Sequence, residues 1–245
     1  MTKKITILDG TEVEYVEVRD EPIHRYQFNN DYVYIYIVGF RPGDISLWHR
    51  HSQDTFYVCI EHAVLALNRP SDKDPYVHHA SPGDLWWSMS KNAPFVHQVC
   101  LLPENTNSSQ FFAMEILKSP PVVSESPLTH RCYKLRKDFS RAGLARVYEF
   151  KVEPGESTGP HSWGFYGVVV CLSDGGGKTE AVGDSDSVQG RRGPFEDGAL
   201  SRVGGWKWVE GPVDIDVRNA GERPYEAIVV EWLGESGEVD SVARL

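Results

Sequence analysis

Pro42-Gly43-Asp44-Ile45-Ser46-Leu47-Trp48-His49-Arg50-His51-Ser52-Gln53-Asp54-Thr55-Phe56-Tyr57-Val58-Cys59-Ile60 is the stretch whose reading decides the fold. Two histidines, one residue apart, separate two apolar runs rich in β-branched and aromatic side chains. Successive side chains on a strand alternate faces, so His49 and His51 project from the same side. Two imidazoles on one inward face begin a metal site. A bare His-x-His is more often a pair of surface residues in a hairpin, so the flanking chain must decide.

Upstream, Tyr32 to Val38 places tyrosines on even positions and aliphatics on odd ones, the pattern of a half-buried strand. Residues 5 to 18 read as a single entry strand. Pro42-Gly43-Asp44 is a turn, and Ser52 to Asp54 is a corner before a strand from Phe56 to Leu67. Asn68 to Asp74 is a polar loop. Tyr76-Val77-His78-His79 then leads into a second Pro-Gly-Asp turn at 82 to 84. Leu85-Trp86-Trp87 and Phe95 to Cys100 read as strands, with His97 in the middle of the latter. Phe111 to Leu117 closes the unit, and residues 119–127, rich in Pro and Ser, form a linker.

The chain then repeats itself. At the offset that carries Pro42-Gly43 onto Pro154-Gly155, His49 falls on His161, His51 on Trp163 and Cys59 on Cys171. Pro94 matches Pro212, and Met114-Glu115-Ile116 matches Val230-Glu231-Trp232. Glu21-Pro22-Ile23-His24-Arg25 is echoed by Ser126-Pro127-Leu128-Thr129-His130-Arg131. Matches in one order indicate a duplication. A Gly-rich, charged insertion at 174–198 is expected to be a loop. Each copy holds roughly eight short strands and no helical period, which predicts an all-β chain of two tandem jelly rolls, 1–118 and 128–245.

The 245 residues carry a formal charge of -10 and no basic run, which excludes nucleic acid and anionic membrane as expected partners. Neither a signal peptide nor a membrane span is legible. Cys59, Cys100, Cys132 and Cys171 have neither metal spacing nor a disulfide-dense pattern. A reduced, cytoplasmic setting is therefore expected.

With Gly43 five residues ahead of His49-x-His51, and Gly83, Pro94 and His97 following in order, the sequence resembles the cupin superfamily, and within it the two-domain bicupins. The resemblance implies two tandem double-stranded β-helix barrels. It also implies a divalent metal held in the first barrel by His49, His51 and His97. The glutamate of the family pattern is missing. Thr55 stands in its place, and Asp54 points away by alternation unless a bulge re-aims it. In the second copy Trp163 and Ile215 stand at ligand positions, so that half is expected to be metal-free.

Three neutral imidazoles leave a divalent ion its full charge and open positions, and suit Fe(II), Zn, Ni, Mn or Cu alike; the resemblance to cupins with three-histidine iron sites implies Fe(II) first. Two enzyme readings stay open. One is an Fe(II) dioxygenase of a small anionic or aromatic oxygenated compound. The other is a non-oxidative lyase or isomerase in which the metal acts as a Lewis acid. A non-catalytic cupin binding a small ligand is the third. Tyr57 is the candidate hydrogen-bond donor to a bound oxygen, Thr55 the candidate to orient water, and Trp86 or Trp87 a wall for an aromatic substrate. His78, His79, His24 and His130 are read as structural. Monomer and homodimer both stay open.

Overall fold

Pro-Gly turns set the ends of the strands. Gly43, Gly83 and Gly155 have φ of 82°, 86° and 79°, a left-handed conformation that glycine adopts without steric cost. The amides of Asp44, Asp84 and Glu156 close these turns on the carbonyls of Arg41, Ser81 and Glu153. The carboxylates of Asp44 and Asp84 then accept the amides of Arg41 and Ser81.

The computed structural model describes residues 2–6, 10–121, 127–136, 145–176, 179–181, 194–195 and 197–233. The chain divides into two compact units, Met1–Lys118 and Ser119–Leu245. The first opens with β1 (Lys3–Thr6), β2 (Glu12–Glu17), β3 (His24–Asn29) and β4 (Val33–Phe40). The centre of the unit is β5 (His49–His51), β6 (Thr55–Cys59), β7 (Ala63–Asn68) and β8 (Tyr76–Ala80). It closes with β9 (Leu85–Ser88), β10 (Phe95–Leu101) and β11 (Ser109–Ile116). One sheet runs β1-β2-β5-β10-β7-β8 and the other β3-β4-β11-β6-β9. A single turn of 3₁₀ helix, Val18–Asp20, joins β2 to β3.

The second unit holds β12 (Tyr133–Leu135), β13 (Ala145–Val152), β14 (His161–Trp163), β15 (Tyr166–Asp174) and β16 (Thr179–Ala181). It continues with β17 (Trp206–Glu210), β18 (Val213–Ile215), β19 (Val217–Asn219) and β20 (Tyr225–Trp232). Its five-stranded sheet, β12-β13-β20-β15-β17, follows the same path as β3-β4-β11-β6-β9. The register repeats as well. His49 pairs with His97 and His51 with Phe95, while His161 pairs with Ile215 and Trp163 with Val213.

Four details differ from the sequence reading. The strand expected from Phe56 to Leu67 is two, β6 and β7, which lie in different sheets. The entry strand is two strands, β1 and β2, paired antiparallel around Gly10, whose φ is 87°. Strand β8 was read as connecting chain, and β3 had no reading; both are sheet edges, where few apolar residues are needed. Strand β4 is buried on both faces rather than one, with Ile35 and Tyr36 both inaccessible. Most of the insertion 174–198 and the middle of the linker lie outside the described residues.

Between the two sheets of the first unit, Tyr36, Val38, Leu65, Val99, Leu101 and Phe111 form a single cluster. Each such side chain contributes about 1.5–3 kcal/mol by burial. One buried charge recurs in each unit. Glu115 is paired with Arg19 at 2.8 Å, and Glu231 with Arg146 at 3.0 Å. Burial raises the pKa of both carboxyls, against the pull of their arginines. Replacing Arg19 by Met strands the Glu115 carboxylate. The expected loss is about 1–3 kcal/mol at pH 7, shrinking as the pH falls and Glu115 takes up a proton. Chemical denaturation at pH 7 and pH 5 measures it.

Candidate metal centre

Strand β5 is three residues long, and its neighbours hold it in place. Val16 of β2 pairs with His49 in parallel, and β10 pairs along its other side. Ser46, just before β5, donates its amide to the Val99 carbonyl, accepts the Val99 amide on its hydroxyl and receives the Gln98 side-chain amide on its carbonyl. The Glu21 carboxylate, buried at 2% exposure, accepts the amides of Ile23 and Leu47. One side chain thereby fixes the segments that carry His24 and His49.

His49, His51 and His97 come together, with one ligand nitrogen from each lying within 4.8 Å of the others. The His49 Nδ1 lies 2.9 Å from the Leu47 carbonyl. A carbonyl can only accept, so Nδ1 carries the proton and Nε2 presents a lone pair. The His97 Nε2 sits 2.9 Å from His49 Nε2 and 3.1 Å from His51 Nε2. If His97 donates to His49, His51 faces an N–H that is already used. No neutral arrangement satisfies both contacts. A cation at the meeting point would accept all three lone pairs. Two nitrogens each about 2.1 Å from a shared ion, at a right angle, lie about 3.0 Å apart. The donor set therefore fits a divalent metal.

Burial keeps these rings neutral. It lowers His49 to about 4, and takes His51 and His97 well below 6.5, helped by their neighbouring imidazoles. His24, read from sequence as structural, belongs to the same place. Its ring lies edge-on to His49 at 4.7 Å, its Nδ1 is 3.0 Å from the Val18 carbonyl, and burial lowers it to about 3.

The four rings line a cavity of about 450 Å³ with Tyr57, Trp86, Trp87, Phe95 and Phe111 among its walls. Phe95 stacks on His51 at 5.3 Å, and Trp86 on Tyr57 at 5.2 Å. The Tyr57 hydroxyl reaches His51 Nδ1 at 3.4 Å, and burial raises its pKa so that it stays a neutral phenol. Thr55 does not line the cavity. It is fully buried, and its hydroxyl donates to the Gln53 carbonyl. Asp54 also stays away, accepting the Lys91 amide at 2.8 Å. His78 packs edge-on against Trp86, apart from the imidazole group.

The second unit preserves the frame and fills the centre. His161 Nδ1 faces the Gly159 carbonyl at 2.9 Å, the same lock as in His49. Its Nε2, however, meets the Tyr133 hydroxyl at 2.6 Å, and Trp163 Nε1 donates to that oxygen at 2.9 Å. His24 pairs with Val38 and Tyr133 with Phe150, the residue that matches Val38 in the repeat. By register, then, His24 corresponds to Tyr133. The sequence echo with His130 is three residues out of step.

No family model matches the chain, and no curated protein matches it either. Solved structures do. The oxalate decarboxylase of Lactobacillus farciminis aligns over 86% of this chain and 84% of its own, with TM-score 0.52 and 11% identity. YhaK from Escherichia coli aligns over 86% and 92%, with TM-score 0.50 and 12% identity. A cupin domain from Bordetella pertussis Tohama I is 26% identical over 38% of this chain and 91% of its own, with TM-score 0.34. The fold shared with the oxalate decarboxylase and with YhaK is a double-sheet jelly roll. Identities this low establish shared architecture and leave the chemistry of this cavity to its own residues.

Two outcomes follow. His24→Tyr should reproduce the plug of the second barrel, placing a hydroxyl against His49 Nε2. Metal affinity, read by titration calorimetry, should fall at least tenfold while the far-UV spectrum stays unchanged. The second concerns acid. The unfolded chain protonates its histidines near pH 6.5, whereas His24 and His49 stay neutral in the fold down to about 3 and 4. Between these limits the unfolded state binds more protons, so stability falls as pH falls. Thermal unfolding of metal-free protein from pH 7.5 to 4.5 should show the midpoint dropping below about pH 6.5.

Proposed function

We propose that the first barrel is a metal-dependent enzyme, with His49, His51 and His97 as its ligands and Fe(II) as its metal. The observation that carries this reading is the meeting of the three Nε2 atoms with no protein hydroxyl among them, against the plugged His161 of the second barrel. The activity proposed is dioxygenation of a small anionic or aromatic oxygenated compound. When bound, Fe(II) supplies Lewis acidity toward a substrate oxygen and the redox chemistry that activates dioxygen.

The protein's own residues do the rest. His51, ligating through Nε2, carries its proton on Nδ1 and donates it to Tyr57, which fixes the ring plane. The Tyr57 O–H is then available as a donor to a substrate oxygen in the cavity. Trp86, Phe95 and Phe111 exclude water and present flat faces to an aromatic ring. Thr55, bonded to Gln53, supports the wall behind Tyr57 and takes no part in orienting water. With no carboxylate ligand the ion keeps its full charge, which favours an anionic oxygen as its partner.

The non-oxidative lyase or isomerase is the competing reading, since a decarboxylase shares the fold and Zn, Ni, Mn and Cu suit three imidazoles as well. We read the second barrel as a stabilising partner for the fold. Four free cysteines and the acidic charge fit a cytoplasmic enzyme, monomer or homodimer, whose partners are small molecules and dioxygen. No helix among the described residues is long and apolar enough to cross a membrane.

Oxygen consumption by the iron-loaded protein separates the two chemistries. Turnover of a catechol or 1,2-dioxygenated compound should stop under strict anaerobiosis, and His97→Ala should lose both the ion and the activity. Turnover that continues without oxygen assigns the lyase or isomerase instead.

A further inference from the structure

The loop after β7, which reads in sequence as a polar connection, carries a charge into the cavity. Asn68 is the last residue of β7 and pairs with Gln98 of β10. Arg69 is the next residue, and its charge acts on His97. Arg69 lines the cavity, and its guanidinium lies 5.6 Å from the centre of the Phe95 ring, the ring that stacks on His51.

Arg69 is the one permanent cation among the described residues lining this cavity, and no carboxylate among them holds it in an ion pair. Asp72 also reaches the wall, and its amide closes a turn on the Arg69 carbonyl. Its carboxylate makes no ion pair with the guanidinium, and it opposes a second negative charge at this end. A planar guanidinium beside an aromatic wall matches a carboxylate carried on a flat ring, through two parallel N–H donors.

We propose that Arg69 is a specificity-determining residue that selects a small aromatic monoanion, binding its carboxylate while the ring lies among Phe95, Trp86 and Phe111. The proposal rests on reading this cavity as the substrate site.

The test uses the full-length protein stripped of metal, so that it does not depend on the metal reading. Benzoate and its neutral isostere benzamide are titrated by calorimetry at low ionic strength. Wild-type protein should bind benzoate about tenfold or more tightly than benzamide, the factor expected of a charge-assisted hydrogen bond. Arg69→Gln should abolish this preference while leaving benzamide binding unchanged, and Arg69→Lys should restore part of it. Equal binding of the two probes, a preference that survives in Arg69→Gln, or no binding of either at millimolar concentration overturns the proposal. Failure of the wild-type protein to retain any divalent ion counts against the metal reading alone, because the anion preference is measured without metal.

Discussion

The pairing of β5 with β10 is the constraint on which the rest depends. A three-residue strand has little stability of its own. Held between β2 and β10, it sets His49 opposite His97 and His51 opposite Phe95. That single register puts two ligands from one strand and one from its neighbour on a common inner face. A slip of one residue would turn every one of these side chains outward. The buried Glu21 carboxylate, the Ser46 bonds and the Gly43 turn all act on the entry to this strand.

The duplicated barrel serves as an internal comparison. The frame around His161 keeps the same register and the same Nδ1 lock, yet a phenol satisfies the remaining nitrogen. This shows how the fold completes such an imidazole when the protein alone does so. In the first barrel three imidazoles converge, and the position of Tyr133 is taken by His24, whose ring stands edge-on and leaves His49 Nε2 facing its partners. The difference between the two barrels is therefore a difference of a few side chains on a shared backbone. It concentrates on what stands against one ring nitrogen.

Much of this was legible in the sequence, and the failures have physical causes. Alternation around His49-x-His51, the Pro-Gly turns and the ordered repeat carried the jelly-roll architecture, because strand period and turn chemistry are local signals. The convergence of His97 on the His-x-His pair was legible only through the resemblance of the motifs. Thr55 was read from alternation as facing the site, but it is fully buried, bonded to the Gln53 carbonyl, and does not line the cavity. His24 was misaligned because the His-Arg pair shared with the second copy lies three residues out of structural register. Arg69 was invisible for a different reason. Its position depends on the pairing of β7 with β10, a long-range register that no short stretch of sequence encodes.

Elemental analysis of the purified full-length protein, combined with metal titration after chelation, tests the central claim most directly. One tight divalent ion per 245-residue chain is the result the account predicts, held by the first barrel and excluded from the plugged second. No retained ion, or two equivalent ions per chain, would contradict it.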